Sequence, residues 1–246
     1  MIGKKIIHLD NVDSTNNYVA NMVLTKQIEH GTVIMADEQS AGKGQRGNIW
    51  ISKPGENIIT SIYLKTANLS VNEQFNLTIF ASLSVIRLLH KKGIKAMIKW
   101  PNDIVINSKK ISGILIENQL IGAKIEHSIV GIGLNTNQKE FSDLNATSIF
   151  NEISEFNPIH HLLLMLINEM NQLFTEIKNG NFTTLKEEYL KNLWLLNTKS
   201  SFNDKDGDFS GEIIGISDLG LLQILKGNEI VEYDLKEIQF NARNVF

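Results

Sequence analysis

The sequence predicts an α+β fold, in which a mixed or antiparallel sheet packs with helices and a small β-barrel follows at the C-terminal end. Three observations carry this. Strand and helix patterns in the first part of the chain do not alternate regularly, which disfavours a doubly wound parallel sheet. Successive β patterns between residues 96 and 134 are joined by short polar turns, as in a meander. After Asn197 the texture changes to short strands broken by glycine-containing turns, the pattern of a small barrel.

The elements follow in order. Met1-Ile2-Gly3-Lys4-Lys5 leads into a short strand-like run, without the apolar stretch of a secretory signal. Residues 14–26 read as a helix with Ser14 at the N-cap, because Tyr18, Val19, Met22 and Val23 recur at helical spacing. Residues 32–36 form a short strand, 41–48 a polar loop with three glycines, and 57–65 an isoleucine-rich strand. A long helix over 71–92 presents Phe75, Ile79, Leu83, Ile86, Leu88 and Leu89 on one wide face and stops at Gly93. Strands are expected at 96–100, 103–106 and 111–120, the last two joined by Asn107-Ser108-Lys109, and again at 124–134. Pro158 opens two helices, 159–178 and 182–194. Strands at 211–216, 221–226, 229–233 and 237–240 then alternate with turns such as Leu219-Gly220 and Gly227-Asn228. The boundary falls near Leu196, giving a main domain of 1–196 and a small β domain of 197–246.

Composition narrows the function classes. The chain of 246 residues is 42% hydrophobic and 21% charged, as in an ordinary folded protein. A net charge of -3 gives no global attraction to phosphate backbones, so nucleic-acid binding is not expected. No apolar run reaches the roughly 18 residues of a membrane span, so no membrane partner is expected and the cytoplasm is the expected compartment. Without cysteine there is no thiolate metal site and no cysteine nucleophile. The scattered histidines offer no third ligand at metal spacing, and no G-x-S-x-G elbow is present.

Four segments stand out for chemistry. Gly42-Lys43-Gly44-Gln45-Arg46-Gly47 combines a glycine-rich backbone, able to present N–H groups to phosphate, with two cations; a polar surface turn is the competing reading. Lys99-Trp100-Pro101-Asn102-Asp103 places a lysine at a strand end, where it projects a cation into a cleft or is simply solvated beside a turn. Gly131-Ile132-Gly133-Leu134-Asn135 strips one face of a strand, leaving room for a flat ligand or marking a bulge. Ser14-Thr15-Asn16 offers hydroxyls and an amide to a neutral polar group, or serves as a helix cap.

In this order, with Trp50 closing the glycine loop and Lys110-Ile111-Ser112-Gly113-Ile114 after the lysine segment, the four resemble the catalytic domain of biotin protein ligases. The resemblance covers essentially the whole chain, including a terminal unit like the family's SH3-like β-barrel. It implies an ATP-dependent ligase that converts biotin to biotinyl-adenylate, with Mg2+ as helper, and transfers the biotinyl group to a lysine of a biotin carboxyl carrier protein domain of a biotin-dependent carboxylase. It further implies that Ser14, Thr15, Asn16 and Gln39 meet the biotin ring, that Lys43, Gly44 and Gln45 wrap its carboxylate and the adenylate, and that Gly131 and Gly133 wall the pocket. Lys99, between carboxylate and α-phosphate, is the implied catalytic cation with Arg46 and Asp103, the last orienting Lys99 or deprotonating the incoming lysine. Lys43, Arg46, Trp50, Asn102 and Asn135 are implied on the ATP side, and no protein metal site is implied.

Two departures matter. Lys43, Gln45 and Asn48 stand where many members carry arginines through the glycine loop, leaving Arg46 as the loop's only arginine and weakening its implied hold on adenylate. Only 13 residues precede Ser14, whereas members that repress transcription carry a helix-turn-helix domain there, so a monofunctional ligase of the biotin--[acetyl-CoA-carboxylase] type is expected. A homodimer through an exposed sheet edge stays open. The rivals are a lysine-based lipoate ligase and a non-catalytic biotin-binding module; retention of Lys99 and Arg46 argues against the second.

Overall fold

A computed structural model describes residues 1–66, 69–142 and 144–241, Arg46 by its backbone alone. The elements in chain order are β1 (Ile6–Val12), α1 (Thr15–Leu24), β2 (Val33–Gln39), β3 (Asn57–Lys65), α2 (Phe75–Lys91), β4 (Met97–Lys99), β5 (Asp103–Ile106), β6 (Lys109–Ile121) and β7 (Lys124–Asn135). The helices α3 (Ile149–Ile153), α4 (Ile159–Lys178) and α5 (Phe182–Lys191) follow, then β8 (Lys199–Asp204), β9 (Gly207–Ile216), β10 (Leu222–Lys226), β11 (Glu229–Tyr233) and β12 (Gln239–Phe240).

The expected mixed sheet is present. Seven strands lie in the order β1-β2-β3-β7-β6-β5-β4. Only β1 and β2 pair in parallel, with α1 in the connection between them, as a parallel pair requires a crossover. The other pairs are antiparallel.

Because strand residues alternate between faces, each strand divides its duties. Ile58, Ile62 and Leu64 on β3, with Val130, Ile132 and Leu134 on β7, join one core with Phe80, Leu83 and Leu88 of α2 and with α4 and α5. The opposite face carries α1, whose Val19 packs on Ile34, Tyr63 and Ile129. On that face Ser61, Gly131, Gly133 and Gly113 expose little side chain. A hollow is left there beside the start of α1.

Helix α2 begins one turn later than expected: Val71–Glu73 is a 3-10 turn closed by a Ser70/Glu73 capping box. Its end is as read, with Gly93 at φ +76 and Ile94 N–H donating to Leu89 O at 3.0 Å. Helix α5 stops at Lys191, short of the expected 194, because Leu193 and Trp194 leave it to run beside β4; Trp194 N–H donates to Ile98 O at 2.8 Å. Helix α3 and strand β8 were not legible from periodicity.

The C-terminal unit is a five-stranded antiparallel sheet, order β11-β10-β9-β8-β12. Its Phe202, Ile213, Ile224 and Tyr233 belong to the same buried cluster as α2 and the main sheet. Trp100 Nε1–H donates to Gly220 O at 2.9 Å, and Leu196 bridges to Ile213. Among the described residues no helix is long and apolar enough to cross a membrane.

Candidate functional site

A cavity of about 480 Å³ opens on the glycine-bearing face, a size that suits a small ligand. It gathers Ser14, Thr15 and Asn16 from the start of α1, Gln39 from the end of β2, Lys43, Gly44, Gln45 and Trp50 from the glycine loop, Lys99, Asn102 and Asp103 from the β4–β5 corner, and Gly131 and Gly133 from β7. Segments distant in sequence thus converge as the motif reading expects. Arg46's side chain lies outside the described residues. Asn135 does not line the cavity: it is buried, and its amide donates to Thr147 O at 2.9 Å, tying β7 to the following loop.

One end of the cavity is neutral and hydrogen-bonded. Ser14 stands at the N-cap but makes no side-chain cap bond; it is buried and lines the cavity. Thr15 donates to Gln39 Oε1 from its backbone N–H at 2.8 Å and from its hydroxyl at 3.1 Å. Ser61 Oγ lies 2.7 Å from Thr15 Oγ1 and 2.6 Å from Asn16 Oδ1. The amide of Asn16 donates in turn to Glu117 Oε2 at 2.6 Å. Ser61 and Glu117 are absent from the motif reading. A fully buried hydroxyl inside an isoleucine-rich strand is the signal that marks Ser61.

The glycines have separate duties. A Cβ at Gly131 would sit 2.5 Å from Asn16 Oδ1, so this glycine makes room for the asparagine. At Gly133 a Cβ would enter the indole of Trp50, and Gly113, its partner across β6 and β7, lies under the same ring with Trp50 Cζ3 at 3.1 Å from its would-be Cβ. The paired glycines form a shelf on which the Trp50 ring rests. Trp50 Nε1 is buried there without a hydrogen-bond partner among the described residues. The loop that carries Trp50 is a small hairpin, with Lys43 bridged to Ile49 and Trp50 N–H donating to Gly42 O at 3.0 Å. Gly42 is required where the chain passes Trp50 O, with Gln39 Nε2 only 2.9 Å from its would-be Cβ.

The other end is cationic. Among the described residues Lys43, Lys99, Lys110 and Lys236 line the cavity against one carboxylate, Asp103. Lys99 and Asp103 face each other across the β4–β5 ladder, yet the carboxylate pairs with Lys110 Nζ at 2.6 Å. Lys99 Nζ instead lies over the rings of Phe240, at 5.2 Å, and Trp194, at 5.7 Å. Burial pushes the Lys99 ammonium below the ordinary lysine range; Asp103 opposes this shift and Lys110 adds to it. Asn102 Nδ2 donates to Ile114 O, fixing the turn after Pro101. A half-enclosed, cation-rich pocket of this kind stabilises converging anions. Among the described residues no group of three His, Cys, Asp or Glu could hold a metal ion.

The sequence pattern of the biotin/lipoate A/B protein ligase family matches residues 9–135, and the chain belongs to that family. It is 31% identical over 240 residues to the bifunctional ligase/repressor BirA of Bacillus subtilis, covering 93% of this chain and 71% of that protein. It is 30% identical over 129 residues to the biotin--[acetyl-CoA-carboxylase] ligase of Paracoccus denitrificans, 52% of each chain. Among solved structures, the biotin protein ligase of Aquifex aeolicus in complex with biotin and ATP superposes with a TM-score of 0.82 at 27% identity, over 97% of this chain and 99% of that one.

Proposed function

We propose that the protein is a biotin protein ligase, which activates biotin with ATP and transfers the biotinyl group to a lysine of a carboxylase's biotin carrier. The observation that carries this is the polarity of the cavity: a neutral hydrogen-bonding end leads, past the glycines that seat Asn16 and Trp50, to a half-buried lysine. A molecule with a neutral polar ring system and a terminal carboxylate suits that order. Ser14, Thr15, Asn16 and Gln39 receive the ring, Gly131 seats the Asn16 amide among them, and Lys43, Gly44 and Gln45 cover the chain and carboxylate. Lys99 faces the point where that carboxylate meets the α-phosphate of ATP.

In the first step a carboxylate oxygen bonds to the α-phosphorus while the bond to the β-phosphate oxygen breaks, giving biotinyl-adenylate and pyrophosphate. Lys99 offsets the repulsion between the two anions and the charge that builds on the α-phosphoryl oxygens. In the second step the carrier lysine's amine attacks the acyl carbon, AMP leaves and the amine loses a proton. Asp103, held beside the site by Lys110, is the carboxylate placed to accept it. Trp50, Asn102 and Arg46 are assigned to the nucleotide side, with Asn135 supporting that wall from behind. The division into a catalytic domain of 1–196 and a C-terminal domain of 197–246 is part of the same proposal.

ATP–pyrophosphate exchange tests the reading. Exchange should depend on biotin; equal exchange with lipoate or octanoate would overturn it. Lys99→Ala should lower exchange by at least about a hundredfold in a folded protein, the scale of losing one aimed charge in a water-poor site.

A further inference from the structure

The last strand of the C-terminal sheet reaches into the cavity described above. Strand β12 pairs with β8 through only two residues, Gln239 opposite Asn203 and Phe240 opposite Phe202. That pairing carries Leu235, Ile238, Gln239 and Phe240 to the cavity wall beside Lys99. Phe240 is packed on three sides. Its ring stacks on Trp194 at 5.8 Å and 28°, meets Phe202 edge-on at 5.6 Å, and turns toward Lys99 Nζ at 5.2 Å. Trp194 presents its own ring to the same ammonium. Among the described residues Lys99 has no carboxylate partner, because Asp103 is engaged by Lys110. Beside the longer-range attraction of Asp103, the two rings are the groups among the described residues that the Lys99 ammonium lies against. A ring face attracts an ammonium without neutralising it or consuming its N–H donors, as a carboxylate would.

We propose that Phe240 and Trp194 are positioning residues for Lys99: they hold its ammonium at the cavity wall, aimed and still free to bond, so that the C-terminal sheet takes part in adenylate formation itself. This rests on the reading of Lys99 as the cation of that step. Leucine at 240 keeps the bulk but lacks the ring face, whereas tyrosine keeps it. Phe209 supplies a control, since it lies in the same sheet, stacks on Tyr233 and faces Lys226 rather than Lys99.

The test is biotin-dependent pyrophosphate exchange by the full chain. Phe240→Leu should lower kcat about tenfold, a loss in the range of a partly desolvated cation–π contact, with the KM for biotin unchanged within twofold. Phe240→Tyr and Phe209→Leu should retain kcat within twofold. In a Lys99→Ala background Phe240→Leu should cost nothing further, because both changes remove one device. Trp194→Leu, which removes the ring on the other side, serves the same reading if Phe240→Leu does not fold. Near-normal kcat for both ring variants, an equal loss for Phe209→Leu, or additive losses with Lys99→Ala would overturn the positioning role. Full exchange by Lys99→Ala alone would overturn the reading of Lys99 instead, which separates the two failures.

Discussion

Replacing Gly131 with alanine tests how the neutral end of the cavity is built. The new Cβ would lie 2.5 Å from Asn16 Oδ1, and ordinary contact begins near 3.4 Å, so the amide must withdraw by about 0.9 Å. It is not free to do so. Ser61 Oγ holds Oδ1 at 2.6 Å, and Nδ2 reaches Glu117 at 2.6 Å. A shift of that size along either bond stretches it to about 3.5 Å, the edge of hydrogen bonding, and turning the amide instead misaligns the other. With Ser61 fully buried and Glu117 exposed, the loss amounts to about 1–3 kcal/mol of stability, or a Tm lower by about 3–10 °C. An Asn16 turned from its place also loses one contact to the ligand, weakening biotin binding about tenfold. Scanning calorimetry and titration calorimetry with biotin read the two effects. The sign is informative, because glycine to alanine at an unstrained position raises stability by about 0.4–1 kcal/mol. Gly215, whose would-be Cβ meets nothing closer than Gln223 Oε1 at 3.4 Å, provides that comparison. A Gly131→Ala protein with unchanged Tm and biotin affinity within threefold of the parent would refute the account of this glycine.

Three further outcomes are expected. Gly133→Ala should drive the Trp50 indole off its shelf, shifting tryptophan emission to the red and weakening ATP binding far more than biotin binding; unaltered emission would contradict the packing. Trypsin should cut after the exposed Lys43 in the free protein and markedly more slowly with biotin and ATP together, since anions engaging the loop order its backbone, and equal cutting with and without ligands would remove the loop from that role. Asp204, bonded to Lys226 at 2.8 Å and Tyr233 at 2.9 Å, has its carboxyl lowered from 3.8 to about 2. A depressed carboxyl contributes stability that is complete above its ordinary range and lost as pH falls toward about 2. The Tm difference between the parent and Asp204→Asn should therefore be full at neutral pH and shrink between about pH 4 and 2; a pH-independent difference would refute this.

The sequence was most informative where one local rule governed. The run over 57–65 alternates buried duties on both faces and forms β3 as expected, and the long apolar face ending at Gly93 forms α2. The four motif segments converge because glycine, lysine and hydroxyl residues at turns and strand ends lie at one edge of the hollow. Elements without a pattern were missed. Strand β8, Lys-Ser-Ser-Phe-Asn-Asp, buries only Ser200 and Phe202, and α3 spans too few residues to show a period. Cross-chain partners were equally hidden. Nothing local ties Ser61 to Asn16, Lys110 to Asp103, or Phe240 to Lys99, since each contact depends on strand register and on where the C-terminal sheet docks. Ser14 shows the opposite limit: its place at the helix start was legible, but the direction of its side chain was not.

The unbroken core has a consequence for how damage spreads. Phe202, Ile213 and Ile224 are buried in the same cluster as α2 and the main sheet, and Trp100, beside Lys99, is hydrogen-bonded to Gly220. The small sheet thus shares its buried interior with the main one, and heat should take the chain apart in one cooperative transition. A lesion far out in the C-terminal strands draws on the same reserve of stability as one under the cavity floor. Variants there should first reveal themselves as a lower temperature ceiling for the whole enzyme, before any isolated part of it is seen to loosen.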